Sequence, residues 1–233
     1  MTRVPTGAGL DARLAQHVGR AGSIDSGHLL LVGAGPGLGL AVAHRFAAGG
    51  YRVTLVARSL DDTGAEINTV EADASSPEDL RARMTELYDD DGAPGVVIYN
   101  AVLGAPDQLL SSTVTHLQEA YAVDVIGAIV VAQEAAPAMK AAGSGTMIVT
   151  GGGFADHPIP ALATVSLGKA ALRSAATMLG VDLGPDGIRV ATLTIAGQIV
   201  AGTAFDPARI AERYWQIVQM DGPWQAEFRF TGE

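Results

Sequence analysis

The stretch HLLLVGAGPGLGLAVAHRFAAGGYRVTLVAR, residues 28–58, decides the fold. An apolar run, Leu29–Val32, leads into four alternating glycines, Gly33, Gly35, Gly37 and Gly39. An alanine-rich amphipathic segment follows, then Gly49 and Gly50, then a second β-prone run over Tyr51–Ala57. This order predicts strand, glycine turn, helix, strand, the opening of a dinucleotide-binding unit. Glycine lets the chain turn tightly and approach a diphosphate closely. The helix N-terminus after Pro36 offers free N–H groups and a favourable dipole to the same anion.

Around this unit the chain has 233 residues, 48% of them hydrophobic, enough for one sizeable core. A net charge of −10 argues against nucleic acid or an anionic membrane surface as a partner. There is no cysteine, hence no disulfide, thiolate metal site or thiol nucleophile. The apolar runs are read as broken by charge or glycine before a spanning length, and no signal-peptide pattern opens the chain. A cytoplasmic location is the expectation. Residues 1–27 are expected to be an N-terminal extension, frayed or packed on a neighbour, and 28–233 the folded domain.

Beyond residue 58 the pattern continues as alternating strands and helices. The first helix is expected over 37–48, closed by the paired glycines. LDDTGAEINTVEAD is too short and polar for a full crossover helix, so a loop or single turn leads to a third strand near 67–72. SSPEDL has a serine cap, an early proline and acids in the first turn, a strong helix start. Strands follow at 95–100, 146–150 and 189–195, with helices over 113–142, 164–183 and 208–219, and a last edge strand near 226–230. Pro137 is tolerated at a kink or late turn of the long helical stretch. The spacing predicts an α/β fold: a Rossmann-type, doubly wound parallel sheet flanked by helices in a single domain.

Several residues then suggest chemistry. Strand two ends in neutral Ala57 followed by Arg58 and Ser59. An acid there would favour the ribose hydroxyl of NAD(H); a cation suits the 2′-phosphate of NADP(H), so NADP(H) is the expected cofactor. Asp73 sits where a strand ends and can accept a hydrogen bond from an adenine amino group. His157, in GGGFADHPIP, lies on a loop expected at the ligand-binding edge of the sheet and is a candidate proton donor. Thr150 can offer a hydroxyl, and Tyr99 is a core residue more than an acid. His17, His28, His44 and His116 show no clustered acid partner, and no metal site is expected.

The ordered set of motifs resembles the short-chain dehydrogenase/reductase family from about residue 28 onward. VGAGPGLG matches the family's TGxxxGxG, Asp73 its adenine-side aspartate, and YNAV at 99–102 its NNAG. SLGKAALR around Lys169 and IAGQI at 195–199 match its lysine and PG segments. The resemblance implies a nicotinamide cofactor, with Gly33, Gly35, Gly37, Leu38 and Gly39 at the diphosphate turn. Arg58, Ser59 and Asp73 fall on the adenosine side, Lys169 can bind the nicotinamide ribose, and Asn100, Ala101, Gly197 and Ile199 complete the cofactor-binding set. It also implies a homodimer or homotetramer built on the two long helices, and a small-molecule substrate.

The catalytic pattern departs from the family. Lys169 is present, but Val165 stands four residues earlier, where the family has tyrosine. Gly152 stands where it has serine, and Asp124, in AVDVIG, where it has a helical asparagine. In the family the phenol gives or takes the proton and the serine holds the carbonyl oxygen. General acid catalysis contributes 10²–10⁴-fold, roughly 3–5 kcal/mol of barrier. The expected function is an NADP(H)-binding oxidoreductase of a small, largely apolar carbonyl, alcohol or activated alkene. Its proton donor is non-standard, with Lys169, His157, Asp124 and Thr150 as the candidate catalytic set. A short segment over 198–206 predicts an open pocket, with Phe154, Ile159, Leu162 and Val165 lining it. The alternatives are a redox-neutral cyclase, isomerase or dehydratase on the same fold, or a non-catalytic nucleotide-binding or assembly protein.

Overall fold

The computed structural model describes residues 24–59, 63–64 and 67–233, so nearly all of the expected N-terminal extension lies outside the described residues. Seven strands form one sheet in the order β3-β2-β1-β4-β5-β6-β7. They are β1 (Asp25–Val32), β2 (Arg52–Ala57), β3 (Asn68–Glu71), β4 (Pro94–Tyr99), β5 (Gly145–Gly152), β6 (Ile188–Ile195) and β7 (Glu227–Phe230). Every pairing is parallel. β1 starts three residues before the expected domain start, because Asp25 already donates its N–H to the Ala93 carbonyl at 2.9 Å. β5 runs two residues past its predicted end, since Gly151 and Gly152 stay in register with Thr194 and Ile195.

The helices are α1 (Leu38–Ala48), α2 (Pro77–Asp91), α3 (Val114–Tyr121), α4 (Gly127–Ala142), α5 (Ala163–Leu183) and α6 (Pro207–Val218). A π-turn, Ala122–Ile126, joins α3 to α4 without a break. One face of the sheet packs on α1 and α6 through Phe46, Ile210, Tyr214 and their neighbours. The other packs on α2, α4 and α5 through Leu80, Met84, Met139 and Leu172. Buried on both sides, the central strands are continuous apolar runs, as Leu29–Val32 shows. The 114–142 helical stretch is long and apolar enough to cross a membrane, contrary to the reading of its sequence. It is mostly buried as a core element here.

The sheet order reverses at β1, between β2 and β4. In such sheets the crevice at the strands' carboxyl ends, at the reversal, is where ligands bind. The loops that leave β1, β4, β5 and β6 all open there.

Candidate active site

The glycine turn is built by two different demands. Gly33 has φ +92°, and a Cβ on it would lie 2.2 Å from the Ala101 N, so only glycine fits between β1 and β4. A Cβ on Gly39 would lie 2.8 Å from the Ala34 Cα, which lets α1 pack onto the turn. Asn100 locks this geometry: its Nδ2 donates to the Gly33 carbonyl at 2.8 Å and its N–H to the Val32 carbonyl at 2.7 Å. Asn100 therefore acts on the turn itself.

Gly35 and Gly37 are different. Neither has a positive φ, and a Cβ on either would meet nothing within 4 Å. Both are exposed. No contact among the described residues requires glycine there. Their open space lies over the start of α1, which has no side-chain cap and no acid in its first turn. A surface bare of Cβ atoms, facing uncapped N–H groups, fits a diphosphate. A cavity of about 370 Å³ runs from this turn past Arg58, Ser59 and Asp73 to Asn100, Ala101, Leu103 and Val123. A wider depression of about 850 Å³ adjoins it between β3 and α2, with Arg58 and Asp73 lining both. The Asp73 carboxyl lies below its ordinary range, held by the Ser75 N–H and by the Arg58 charge against partial burial. These residues fit a bound NAD(P): the turn would hold the diphosphate, Arg58 and Asp73 the adenosine end.

Lys169 on α5 does not line that cavity; it is buried, and its Nζ donates to the Thr150 carbonyl at 2.7 Å. Burial pulls its pKa down to about 8, partly offset by Asp124. Asp124 is 2% exposed and sits on the π-turn. Its Oδ1 accepts from the Leu103 N–H at 2.7 Å, tying the loop after β4 to the helix. Burial pushes its pKa up to about 6 against the Leu103 bond and the Lys169 charge.

Tyr99 and Gly127 meet at the π-turn that carries Asp124. The Tyr99 hydroxyl donates to the Val123 carbonyl, inside the π-turn. A Cβ on Gly127 would stand 2.2 Å from the Tyr99 Oη, so the glycine makes room for the phenol. A π-turn widens the helix by one residue and leaves carbonyls in need of donors; Tyr99 supplies one. Nothing in the sequence announced this pairing.

Other expected residues fall elsewhere. The Thr150 side chain is turned into the core on α6, its Oγ1 2.7 Å from the Tyr214 Oη, so it offers no free hydroxyl beside Lys169. Thr150 serves Lys169 through its main-chain oxygen instead. His157 is exposed on the loop after β5. Val165 is buried one turn before Lys169. A Cβ on Gly152 would lie 3.6 Å from the Lys169 Cγ, so a side chain there would face the lysine. Tyr99 and Tyr214 are both buried with engaged hydroxyls, and burial raises both phenols above their usual range. Leu38 is buried beneath the turn. A Cβ on Gly197 would lie 2.4 Å from the Phe205 ring, so that glycine answers to packing, while Ile199 is exposed.

The loop after β6 is short and bonded to itself: Val200 donates to Phe205, Thr203 to Val200, and Gly202 to the Asp206 carboxylate at 2.6 Å. One expectation is overturned. His116 does have an acid partner, its Nε2 lying 3.1 Å from the Asp107 Oδ2. His28 likewise is engaged, its Nε2 2.9 Å from the Thr54 Oγ1.

A family model described as short chain dehydrogenase matches residues 27–206. The oxidoreductase asL5 of Sarocladium schorii is 28% identical over 177 residues, covering 72% of this chain and 70% of that protein. The 3-dehydrosphinganine reductase TSC10A of Arabidopsis thaliana is 31% identical over 129 residues, 51% of this chain but only 38% of that protein. Among solved structures, a metagenomic short-chain oxidoreductase in complex with NADP superposes with a TM-score of 0.77. It is 23% identical and covers 90% of this chain and all of its own. A short-chain dehydrogenase of Leptospira borgpetersenii with bound NAD+ gives 0.79 at 14% identity, covering 91% and 94%. At these identities the two superpositions establish the fold.

Proposed function

Because the chain belongs to the short-chain dehydrogenase family, we propose that it is an NADP(H)-dependent oxidoreductase acting on a small, largely apolar carbonyl, alcohol or activated alkene. One observation carries the cofactor half: a Cβ on Gly35 or Gly37 would meet no described residue, and both face the uncapped start of α1. The exposed Arg58 at the end of β2, with no acid beside it on that strand end, supports NADP(H) over NAD(H). A bound nicotinamide supplies hydride chemistry, and the chain must supply the proton.

The proton is where this chain departs from its relatives. Val165 has none to give, and Gly152 offers no hydroxyl to a carbonyl oxygen. Of the candidate groups, Lys169 and Asp124 are buried and His157 is exposed on the loop after β5. Val102 and Leu103, apolar residues from the loop after β4, line the cavity. With only a short, self-bonded loop after β6, the pocket stays open. The exposed Val114, Tyr121, Leu167, Met178 and Val181 on α3 and α5 support a homodimer or homotetramer formed through those helices.

The test is NADPH consumption against a panel of ketones, aldehydes and activated alkenes, with the product's configuration determined. Stereospecific oxidation of NADPH with at least one class, faster than with NADH, is expected. Silence across the panel would overturn the oxidoreductase reading.

A further inference from the structure

The sequence EFRF at 227–230 alternates, and a strand of period two sends neighbouring side chains to opposite faces. Phe228 and Phe230 are buried in the core on the α6 side of the sheet. Glu227 is half-buried and Arg229 exposed, and both join the ion-pair cluster that includes Arg173 of α5. The four residues of β7 therefore meet a different loop of the crevice on each face.

On the apolar face that loop is the one after β6. The rings of Phe230 and Phe205 meet edge to face, with centroids 5.8 Å apart. The Ala196 N–H donates to the Phe230 carbonyl at 3.0 Å, so the loop leaves β6 bonded to the last residue of β7. Beyond the strand, Gly232 has φ +85°, and a Cβ on it would stand 3.0 Å from the Ala204 Cβ. The chain after β7 thus lies directly on this loop. At its far end the loop is tied to α6. One carboxylate, Asp206, accepts from the Gly202 N–H at 2.6 Å and from the Ala208 N–H at 2.8 Å, holding the loop and capping the helix at once.

On the charged face the loop is the one after β5. Arg229 bonds both Glu227 and Asp156, and Arg173 bonds the same two acids. The Thr194 hydroxyl donates to Glu227 at 2.7 Å, which adds β6 to the cluster. The Asp156 and His157 N–H groups donate to the Gly153 carbonyl at 3.1 and 3.0 Å, so the loop is folded on itself where the two arginines hold it.

We propose that β7 is a clasp that fixes the loops after β5 and β6 together, so that the mouth of the crevice is set before a ligand arrives and does not close over it. Closure of the loop after β6 would have to break the Phe205 contact, the Ala196 bond and the Asp206 bonds together. A ligand entering a fixed mouth costs little in loop ordering and gains no seal against water. The clasp stands apart from the oxidoreductase reading, because it is read without substrate.

Amide hydrogen exchange of the full chain, followed by residue with and without NADPH, tests it. Without ligand, the Val200, Gly202, Asp156 and His157 amides should exchange roughly tenfold or more slowly than in an unstructured peptide. NADPH should slow the glycine turn and leave 196–206 unchanged. Exchange of 196–206 at the unstructured rate, slowed by NADPH, would overturn the fixed mouth. Phe230→Leu should speed Val200 and Gly202 by roughly threefold or more, although neither amide bonds to Phe230. Arg229→Gln should speed Asp156 and His157 by roughly twofold or more. Unchanged rates in both variants would show that each loop holds itself, and would overturn the clasp. Should Phe230→Leu fail to fold, Gly232→Ala loosens the same loop from outside the strand and is read in its place. If NADPH alters no amide anywhere, the nucleotide reading fails, while the ligand-free rates and the variants still decide the clasp.

Discussion

Val165 is a buried apolar residue one turn before Lys169, and the buried Tyr99 and Tyr214 have engaged hydroxyls. Val165→Tyr puts a hydroxyl one turn before Lys169, on the same face of α5. It should create or raise carbonyl reduction, by as much as 10²–10⁴-fold if the phenol alone is limiting. No gain, in a variant that still folds and binds NADPH, would show that Gly152 or the pocket sets the limit. The glycine turn offers a second residue-level test. Gly33→Ala forces a Cβ onto the Ala101 backbone at a left-handed φ, so it should lower thermal stability as well as nucleotide binding. The glycine turn and the helix that carries Val165 and Lys169 one turn apart were legible in the sequence, because spacing along one chain defines them. Thr150 was not. Its side chain points to Tyr214 while its carbonyl serves Lys169, and only the fold distinguishes those two directions.

The π-turn shows what an element adds to its residues. Tyr99 donates to the Val123 carbonyl inside it, and Gly127 clears the space for the phenol. Tyr99→Phe leaves the buried Val123 carbonyl without its donor and should cost about 1–3 kcal/mol by denaturant unfolding. An unchanged midpoint would mean that the helix closes the gap unaided. The strands and helices were legible to within a few residues, since each is a run of one period. The π-turn was not, because its donor comes from a strand some two dozen residues away.

The same holds for the ion-pair cluster that ties the edge strand β7 to the loop after β5. Arg173 bonds Asp156 at 2.8 Å and Glu227 at 3.2 Å, and Arg229 bonds both acids. Arg173 and Arg229 hold the Asp156 carboxyl down at about 2, against an ordinary value of 3.8. A depressed folded pKa contributes stability above the unfolded value and loses it as pH falls through the folded one. The contribution of Asp156 is therefore intact above about pH 4 and gone near pH 2. Melting temperature followed from pH 5 to pH 2 should fall less steeply in Asp156→Asn than in wild type. Parallel curves would remove Asp156 from the account.

For the whole molecule, the sheet reverses at β1 and brings the glycine turn, Asn100 and the Lys169 helix to one crevice. The segment 100–107 stitches them together: Asn100 to Gly33, Leu103 to Asp124, Asp107 to α5. Such a site was legible as a fold-level expectation, but the stitching depends on pairs far apart in sequence. At the molecular surface, Leu167→Asp and Met178→Asp together should shift the species seen by analytical ultracentrifugation toward monomer. An unchanged distribution would exclude the α5 face from the assembly.

The central claim is that the glycine turn grips a dinucleotide's diphosphate, and paired thermal-shift titrations of wild type and Gly35→Ala with NADPH test it most directly. Gly35 has no neighbour among the described residues for a Cβ to strike and no positive φ, so the two proteins should melt alike without ligand. Wild type should then gain about 2.7 kcal/mol at a hundredfold excess of NADPH over Kd, and the variant far less at the same concentration. No response of the wild type at millimolar NADPH, or an equal response of both proteins, would contradict the account.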